Sequence, residues 1–172
     1  AAAAYVAVVA LLYALFRPVS PVLAVVASHF GLAGCAVSAV SMINLLAALS
    51  FLADAGVAAA FDAEEAQALA RMCLRLGGFG NSISLVFFGF YCALLGALVV
   101  RSRFLPRALG VFLFLGGAAW LAYSFSGFLA LPFAGDASSY LMGAGAFGEI
   151  VFTLWFALMG VDANRWREAA QA

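Results

Sequence analysis

The charged side chains of this 172-residue chain are confined to short clusters, and long apolar runs lie between the clusters. Its eight basic and eight acidic residues fall in turns, at the ends of runs or in one surface segment, with one exception inside a run. About 20 apolar residues suffice for a helix to cross a bilayer. The pattern predicts an all-α, polytopic transmembrane helix bundle that forms one domain over residues 1–172, with five spans at 1–16, 22–52, 79–100, 109–131 and 140–161.

The composition excludes an ordinary soluble protein. Hydrophobic residues make up 67% of the chain and charged residues 9%, whereas about a quarter of the residues in soluble domains are charged. The formal net charge is zero and every basic residue is an arginine, so the chain has no basic surface for nucleic acid. We expect membrane lipids as partners and, through helix packing, other membrane subunits or a second copy of the chain.

The first two apolar runs depart from the usual span length in opposite directions. The first has 16 residues, about 24 Å of helix against a hydrocarbon core of about 30 Å, so we expect a truncated span and allow for a sixth span upstream. The second, at 22–52, is longer than a bilayer requires and has to tilt or protrude. Small residues follow one another along it on alternating four- and three-residue steps, which lets a neighbouring helix approach closely: Ala27, Gly31, Gly34, Ser38 and Ser41.

Residues 62–76 are predicted to form a surface helix between spans two and three. Asp62 and Glu65 have the spacing of a capping box at a helix start. The segment has an apolar face, and Gly77, which begins a glycine-rich stretch, is expected to bend the chain into the third span. Arg71 and Arg75 lie off the apolar face, where they reach lipid phosphates or pair with the acids of the first turn.

Arginine placement predicts the orientation of the bundle, because arginines in short loops mark the cytoplasmic side. If each run crosses once, the acidic segment 54–65 and Asp136 fall on the opposite side, together with two arginines of the surface helix. The chain then starts outside and ends in a short cytoplasmic tail at 162–172, in which Trp166 is an interface anchor. The arginines on the cytoplasmic side are Arg17, Arg101, Arg103, Arg107, Arg165 and Arg167. Among them, Arg101, Arg103 and Arg107 are candidates for lipid contact.

Glu149 is the one charged residue inside a span, about nine residues into the fifth run and near the bilayer midplane. An ionisable group at that depth is costly unless it is paired or neutralised, so it has to face protein or water. Thr153 and Gly145 lie one turn away on the same face. Two interpretations stay open. Glu149 is a proton or cation site, or it makes a hydrogen bond that locks the fold, and we favour the second.

Three further polar residues are candidates for an intramembrane site. His29, the sole histidine, lies near mid-depth, where it would meet Glu149 across the bundle and relay protons. It is alternatively a satisfied interior histidine, which we favour, or a lone axial ligand to haem or chlorin, although the sequence requires no cofactor. Asn44 and Asn81 fall toward the outer side of spans two and three, where they can hydrogen-bond to neighbouring helices.

No motif in the chain predicts catalysis or a metal centre. Residues 143–148 spell G-x-G-x-x-G, but a dinucleotide site needs a preceding strand in a soluble βαβ unit, so we assign these glycines to helix packing. The cysteines have no metal-binding spacing and are interpreted as small apolar side chains. No serine–histidine–acid order, catalytic carboxylate pair or phosphate loop is present, and we predict a protein that is not an enzyme.

Several short stretches of the chain match a family pattern. They are residues 15–19 (LFRPV), 85–92 (LVFFGFYC) and 101–110 (RSRFLPRALG), with Gly148-Glu149 and Leu154-Trp155. With them the chain resembles a bacterial family described as domain of unknown function 4386. Where that family is expected to have a histidine before the phenylalanine run, this chain has glycines at positions 77 and 78. The resemblance implies a multi-pass protein of the bacterial cytoplasmic (inner) membrane, a span before residue 1, and no known activity.

Two functions from different classes follow from these patterns. The leading hypothesis is a non-enzymatic accessory or assembly subunit that acts through helix packing in a larger membrane complex. Small-residue stripes, short loops and the lack of a soluble domain favour it. The alternative is a small transporter or proton-linked permease that uses Glu149 and His29. A cavity that reaches Glu149 would favour the alternative.

Overall fold

Six α-helices form the part of the chain that the computed structural model describes, which is residues 2–53, 56, 60–129 and 134–171. No β-strand occurs within these ranges, so the predicted all-α fold class is confirmed. The helices are α1 (Ala2–Phe16), α2 (Pro21–Ala53), α3 (Ala63–Arg101), α4 (Arg107–Phe128), α5 (Ala134–Leu158) and α6 (Ala163–Gln171).

Helices α2 to α5 are each long and apolar enough to cross a membrane. Helix α1 is apolar but has 15 residues, about 22 Å at the usual helical rise. The five predicted apolar runs therefore correspond to five helices, four of which reach full spanning length within the described residues. The chain is an integral membrane protein.

Each helix packs against the next one along the chain: α1 on α2, α2 on α3, α3 on α4 and α4 on α5. Helix α3 is the centre of this arrangement and contributes more residues to the buried hydrophobic core than any other helix. Helices α1 and α5, at the two ends of the series, both stand beside α3 and leave a cleft between them. The residues of α3 in the buried hydrophobic core are Tyr91, Cys92, Leu95, Leu98 and Val99.

The segment 62–76 is not a separate surface helix, because α3 runs through it without a break. The glycines that follow do not bend the chain. Gly77 lies against Asn44 of α2, and a Cβ on Gly80 would collide with Ser41 of the same helix. These glycines let α2 and α3 approach closely, and a helix interior tolerates them when such packing compensates for their low helix propensity.

The predicted capping box at the start of α3 is confirmed. The Asp62 carboxylate accepts hydrogen bonds from the backbone N–H groups of Glu64 and Glu65 at 2.9 and 2.8 Å. The Glu65 carboxylate accepts a bond from the Asp62 N–H at 3.2 Å. Asp62→Ala is expected to lower the free energy of unfolding by about 1 kcal/mol and to speed amide exchange in the first turn. Asp62→Asn keeps the acceptor and should leave exchange nearly unchanged; equal effects of both variants would contradict the role of the cap.

The small-residue stripe of α2 packs inside the chain, as its spacing predicts. Ala27, Gly31 and Gly34 are buried. A Cβ on Gly31 would lie 3.2 Å from the ring of Tyr91, and the Ser84 hydroxyl donates a hydrogen bond to the Gly34 carbonyl at 2.8 Å. The stripe therefore holds α2 against its neighbours in the same chain.

Two glycine pairs bring α3 and α4 together. Gly89 and Gly96 on α3 are seven residues apart, and so are Gly110 and Gly117 on α4. A Cβ on Gly96 would lie 2.6 Å from the Gly110 carbonyl oxygen, and one on Gly117 would lie 2.5 Å from the Gly89 carbonyl oxygen. The two backbones are in direct contact at both crossings, which only glycine allows.

The predicted arginine clusters gather at one end of the bundle, called the basic end here. The Arg165 guanidinium donates a hydrogen bond to the Arg103 carbonyl at 3.2 Å, and the Trp166 indole N–H donates to the Leu15 carbonyl at 2.9 Å. These bonds tie α6 to the α3–α4 turn and to the end of α1. The arginines in or beside these segments are Arg17, Arg101, Arg103, Arg107, Arg165 and Arg167.

The acidic segment 54–65 is described only in part, because residues 54, 55 and 57–59 lie outside the described residues. Glu64 and Glu65 stand in the first turn of α3, whose last residue is Arg101. A helix of 39 residues is about 58 Å long. The acids and the basic end therefore lie at opposite ends of α3.

Candidate functional site

A cleft of about 560 Å³ lies between α1 and α5, with α3 as its floor. Its volume falls within the range of about 300–1,000 Å³ that is usual for small-molecule sites. Aliphatic and aromatic side chains form most of its walls. The side chains with polar atoms that line it are Tyr5, Tyr91, Cys92, Glu149 and Thr153.

Glu149 is half-buried on α5 and is held by a residue of α4. Its Oε1 accepts a hydrogen bond from the Trp120 indole N–H at 2.5 Å. Gly145, one turn earlier on α5, makes room for the indole, since a Cβ there would lie 2.6 Å from the ring. Among the described residues this is the one hydrogen bond of the carboxyl group. Its second oxygen is therefore available to a molecule in the cleft.

Aromatic rings from α1, α3 and α4 stand around this carboxyl group. The Tyr5 ring centroid lies 5.9 Å from that of Phe88 and 6.2 Å from that of Tyr91, and Phe88 lies 6.4 Å from Trp120. The hydroxyls of Tyr5 and Tyr91 are buried and have no hydrogen-bond partner within the described part of the chain. Buried hydroxyls normally have a partner, and these two lack one although the residues that carry them line the cleft.

The cleft opens sideways and is closed at the basic end. Val8 and Leu11 on α1 are 45% and 70% exposed, and Thr153 on the opposite wall is also exposed. Gly160 has a φ of 66°, a left-handed conformation that ends α5 and suits glycine. The chain then turns into α6, where the Trp166 indole is bonded to α1. The opening of the cleft therefore lies on the outer side of the bundle, between α1 and α5.

The structure brings together two of the five predicted intramembrane polar residues. Glu149 and Thr153 both line the cleft. His29 lies on the exposed face of α2, with its Nδ1 2.8 Å from the backbone carbonyl four residues earlier, so it is not beside Glu149. Asn44 is half-buried between α2 and α3, and Asn81 is exposed on α3. The predicted contact between the histidine and the glutamate is absent from the described structure.

Within the described residues, no three or more His, Cys, Asp or Glu side chains are arranged so that they could hold a metal ion. His29 also stands outside the cleft. A haem or chlorin bound to this histidine would therefore lie on the outer surface of α2.

The predicted lipid-contacting arginines are exposed. Arg71 and Arg75 do not pair with the acids at the start of α3; the ion pair found among the described residues joins Arg165 to Asp162, at 3.3 Å. Trp166, predicted as an interface anchor, is half-buried and bonded to the bundle. The remaining arginines of this group, exposed at the α3–α4 turn, are Arg101, Arg103 and Arg107.

The glycine motif at 143–148 lies within α5 and serves helix packing, as predicted. Gly145 accommodates the ring of Trp120, and a Cβ on Gly148 would lie 2.6 Å from the Phe112 carbonyl oxygen. A Cβ on Gly143 would meet no atom of another helix within 4 Å. The motif therefore fits α5 against α4 at two of its three glycines.

The aromatic partners of Glu149 were not predicted from the sequence. Trp120 lies in the interior of α4 rather than at an end, where tryptophans of interface belts occur. An indole N–H in the hydrocarbon region needs an acceptor, and Glu149 is the one carboxylate inside a span. That requirement is a signal that could have paired the two residues. Tyr5 and Tyr91 are interior tyrosines of the same kind.

The family model described as "Domain of unknown function (DUF4386)" matches residues 1–160. The chain belongs to the DUF4386 family. The matched range of this DUF4386 chain contains Glu149, Trp120 and all of α1 to α5, whereas α6 follows it. No curated protein and no solved structure matches the chain. The family description names no activity, so the geometry of the cleft has to carry the functional argument.

Proposed function

We propose that the protein is a small proton-linked permease that binds a bilayer-soluble solute in the cleft between α1 and α5. One observation carries this proposal: Glu149 lines an apolar cleft that has the volume of a small-molecule site and opens toward lipid. Ionisable residues inside membrane helices are costly and commonly mark pathways for protons, ions or substrates. The proposed role is binding and movement of a solute, without covalent chemistry.

Glu149 provides the link to protons. Its carboxyl group can hold a proton or, when ionised, a hydrogen-bond donor or cation of the solute. Trp120 supplies one N–H and no positive charge, and an ionised carboxylate in hydrocarbon needs a partner. Proton and solute would therefore occupy the same group in turn. His29 has no part in this proposal because it lies on the exposed face of α2.

The proposed location is the bacterial cytoplasmic membrane, with the basic end and the C-terminus inside. Arginines in short loops remain on the cytoplasmic side, and the basic end contains the α3–α4 turn and α6. The acids of the first turn of α3 lie at the opposite end. This charge distribution supports the orientation.

The second candidate is an accessory or assembly subunit of a larger membrane complex. The outer face of α2 favours it, because Val40, Ile43 and Leu46 are exposed there and an apolar face packs against either lipid or another helix. The small-residue stripe of α2 no longer favours it, since α1 and α3 already cover that stripe. We rank it second for this reason.

Proton flux in liposomes tests the permease. Vesicles that enclose a pH-sensitive dye would be given a pH gradient and then aromatic amines, quinones or long-chain alcohols. With the wild-type protein at least one solute class should change the internal pH, and Glu149→Gln should reduce that flux to the level of empty liposomes. Glu168→Gln removes an exposed acid of α6 and should leave the flux unchanged. Wild-type flux equal to that of empty liposomes with every class would overturn the permease. Recovery of a larger complex in native-lipid particles would then support the accessory subunit.

A further inference from the structure

We infer that the solute of the cleft is a lipophilic organic cation, which binds between the Glu149 carboxylate and a wall of aromatic rings. This inference rests on the proposed function, because it names the chemical class of solute for the same cleft. Four features of the cleft lead to it: its charge, its aromatic residues, its apolar lining and its lateral opening.

The cleft contains a carboxyl group without a basic counterpart. Glu149 lines it, and neither an arginine nor the histidine is among its lining residues. The partner that the structure gives Glu149 is the neutral N–H of Trp120. The ion pair found in the described chain, Arg165 with Asp162, lies at the basic end. An anion would be repelled by an ionised Glu149, whereas a cation would neutralise it.

The aromatic wall provides a second attraction for positive charge. The rings of Tyr5, Tyr91 and Trp120 each lie against that of Phe88, at centroid distances of 5.9, 6.3 and 6.4 Å. Those of Tyr5, Phe88 and Tyr91 line the cleft. A cation within about 6 Å of a ring face is attracted by the ring quadrupole, most strongly where water is excluded. The carboxylate and the aromatic rings therefore both favour a positively charged solute.

The remaining surface excludes small inorganic cations. Leu95, Leu113, Phe152 and Phe156 line the cleft and offer no oxygen ligands. Hard cations such as Ca²⁺ need six or more oxygen ligands. One carboxylate and the hydroxyls of Tyr5, Tyr91 and Thr153 are the side-chain oxygens of the lining residues, which is too few to replace the water of such an ion. An organic cation with rings or alkyl groups gains favourable burial against this surface. The lateral opening beside Val8 and Leu11 suits a solute that is already dissolved in the bilayer.

Exchange with a proton follows from the same geometry. When a cation binds to protonated Glu149, the carboxyl O–H bond breaks, the proton passes to water and an ionic contact with the carboxylate forms, so charge is balanced. The other groups that face Glu149 are Tyr5 of α1, Tyr91 and Cys92 of α3 and Trp120 of α4. None of them is basic. Cation binding should therefore weaken as the pH falls, because proton and cation compete for one carboxyl group.

Equilibrium binding of three probes of the same shape tests the inference on the full-length protein in nanodiscs. The probes are tetraphenylphosphonium, neutral tetraphenylmethane and anionic tetraphenylborate, with empty nanodiscs as the partition blank. We expect tetraphenylphosphonium to bind and its affinity to fall about tenfold or more in Glu149→Gln, as for loss of a desolvated charge partner. Phe88→Leu should weaken binding of the same probe. Glu168→Gln should not, and low pH should weaken binding to the wild type but not to Glu149→Gln.

The outcomes separate this inference from the permease itself. Equal binding of the neutral and cationic probes with no effect of Glu149→Gln, a preference for tetraphenylborate, or binding of no probe would each overturn the cation assignment. Solute-driven proton flux in liposomes would remain the separate measure of the permease. If Glu149→Gln does not fold, Thr153→Trp provides a second test, because the larger side chain narrows the cleft from an exposed position. This variant should bind tetraphenylphosphonium more weakly than the wild type. Unchanged binding in that variant would also overturn the assignment.

Discussion

Replacement of Gly96 by leucine is expected to leave no folded protein, and Gly96→Ala should already lower the free energy of unfolding by about 3 kcal/mol, the upper part of the usual overpacking range. A Cβ at this position would lie 2.6 Å from the Gly110 carbonyl oxygen and 2.7 Å from the backbone nitrogen of Phe114. Both are main-chain atoms of α4, so relief requires the helices to separate. Denaturant-induced unfolding in mixed micelles, with gel filtration to score the folded fraction, measures the effect.

Gly78→Ala is the matched control in the same helix. No atom lies within 4 Å of the position where its Cβ would be. Since alanine favours helix over glycine by about 1 kcal/mol, this variant should be as stable as the wild type or slightly more stable. Equal destabilisation by Gly78→Ala and Gly96→Ala would show that α3 and α4 are not in contact at Gly96.

The spans were predictable because the bilayer imposes a strong rule on the sequence. A crossing helix has to be long and apolar, so the five runs mark α1 to α5 without knowledge of how the helices pack. The contact between α3 and α4 was not predictable in the same way. The seven-residue spacing of Gly89 and Gly96 is visible in the sequence, but its partner on another helix depends on which helices are neighbours. The predicted surface helix was wrong for a related reason, because the glycines after it pack against α2 instead of bending the chain.

The candidate site was predictable in its centre and not in its surroundings. Glu149 is identifiable because it is the one charge inside a span, whereas its partner depends on how the helices are rotated. The spacing between His29 and the small-residue stripe indicates which way the His29 side chain faces. Ala27 and Gly31 face inward, and His29, two residues after Ala27, lies about 200° around the helix from it. The spacing therefore predicts that His29 faces the outside of the bundle, which is incompatible with the predicted contact between His29 and Glu149.

The hydrogen bond between Trp120 and Glu149 should give a coupling free energy of about 1–3 kcal/mol in a double-mutant cycle, the range for a buried polar group left without its partner. Trp120→Phe removes the donor and leaves the carboxyl group without its indole partner. Glu149→Leu removes the acceptor and leaves the indole N–H unpaired in an apolar environment. The double variant leaves neither group unpaired, so it should be less destabilised than the sum of the single variants. Unfolding in the same mixed micelles measures the stability of the wild type, the two single variants and the double variant. Strict additivity of the two single-variant effects would contradict a structural role for the bond.

Glu149→Gln separates this structural role from the proposed site, because the glutamine carbonyl still accepts the Trp120 N–H while the charge is lost. Its stability should therefore stay within about 1 kcal/mol of the wild type, the scale of a single neutral hydrogen bond, even though its affinity for tetraphenylphosphonium falls. If the carboxyl group served only to lock the fold, Glu149→Gln would change both stability and binding, or neither. Weaker binding at unchanged stability would assign the wild-type carboxylate to the cleft and its solute, since an amide would serve the fold equally well.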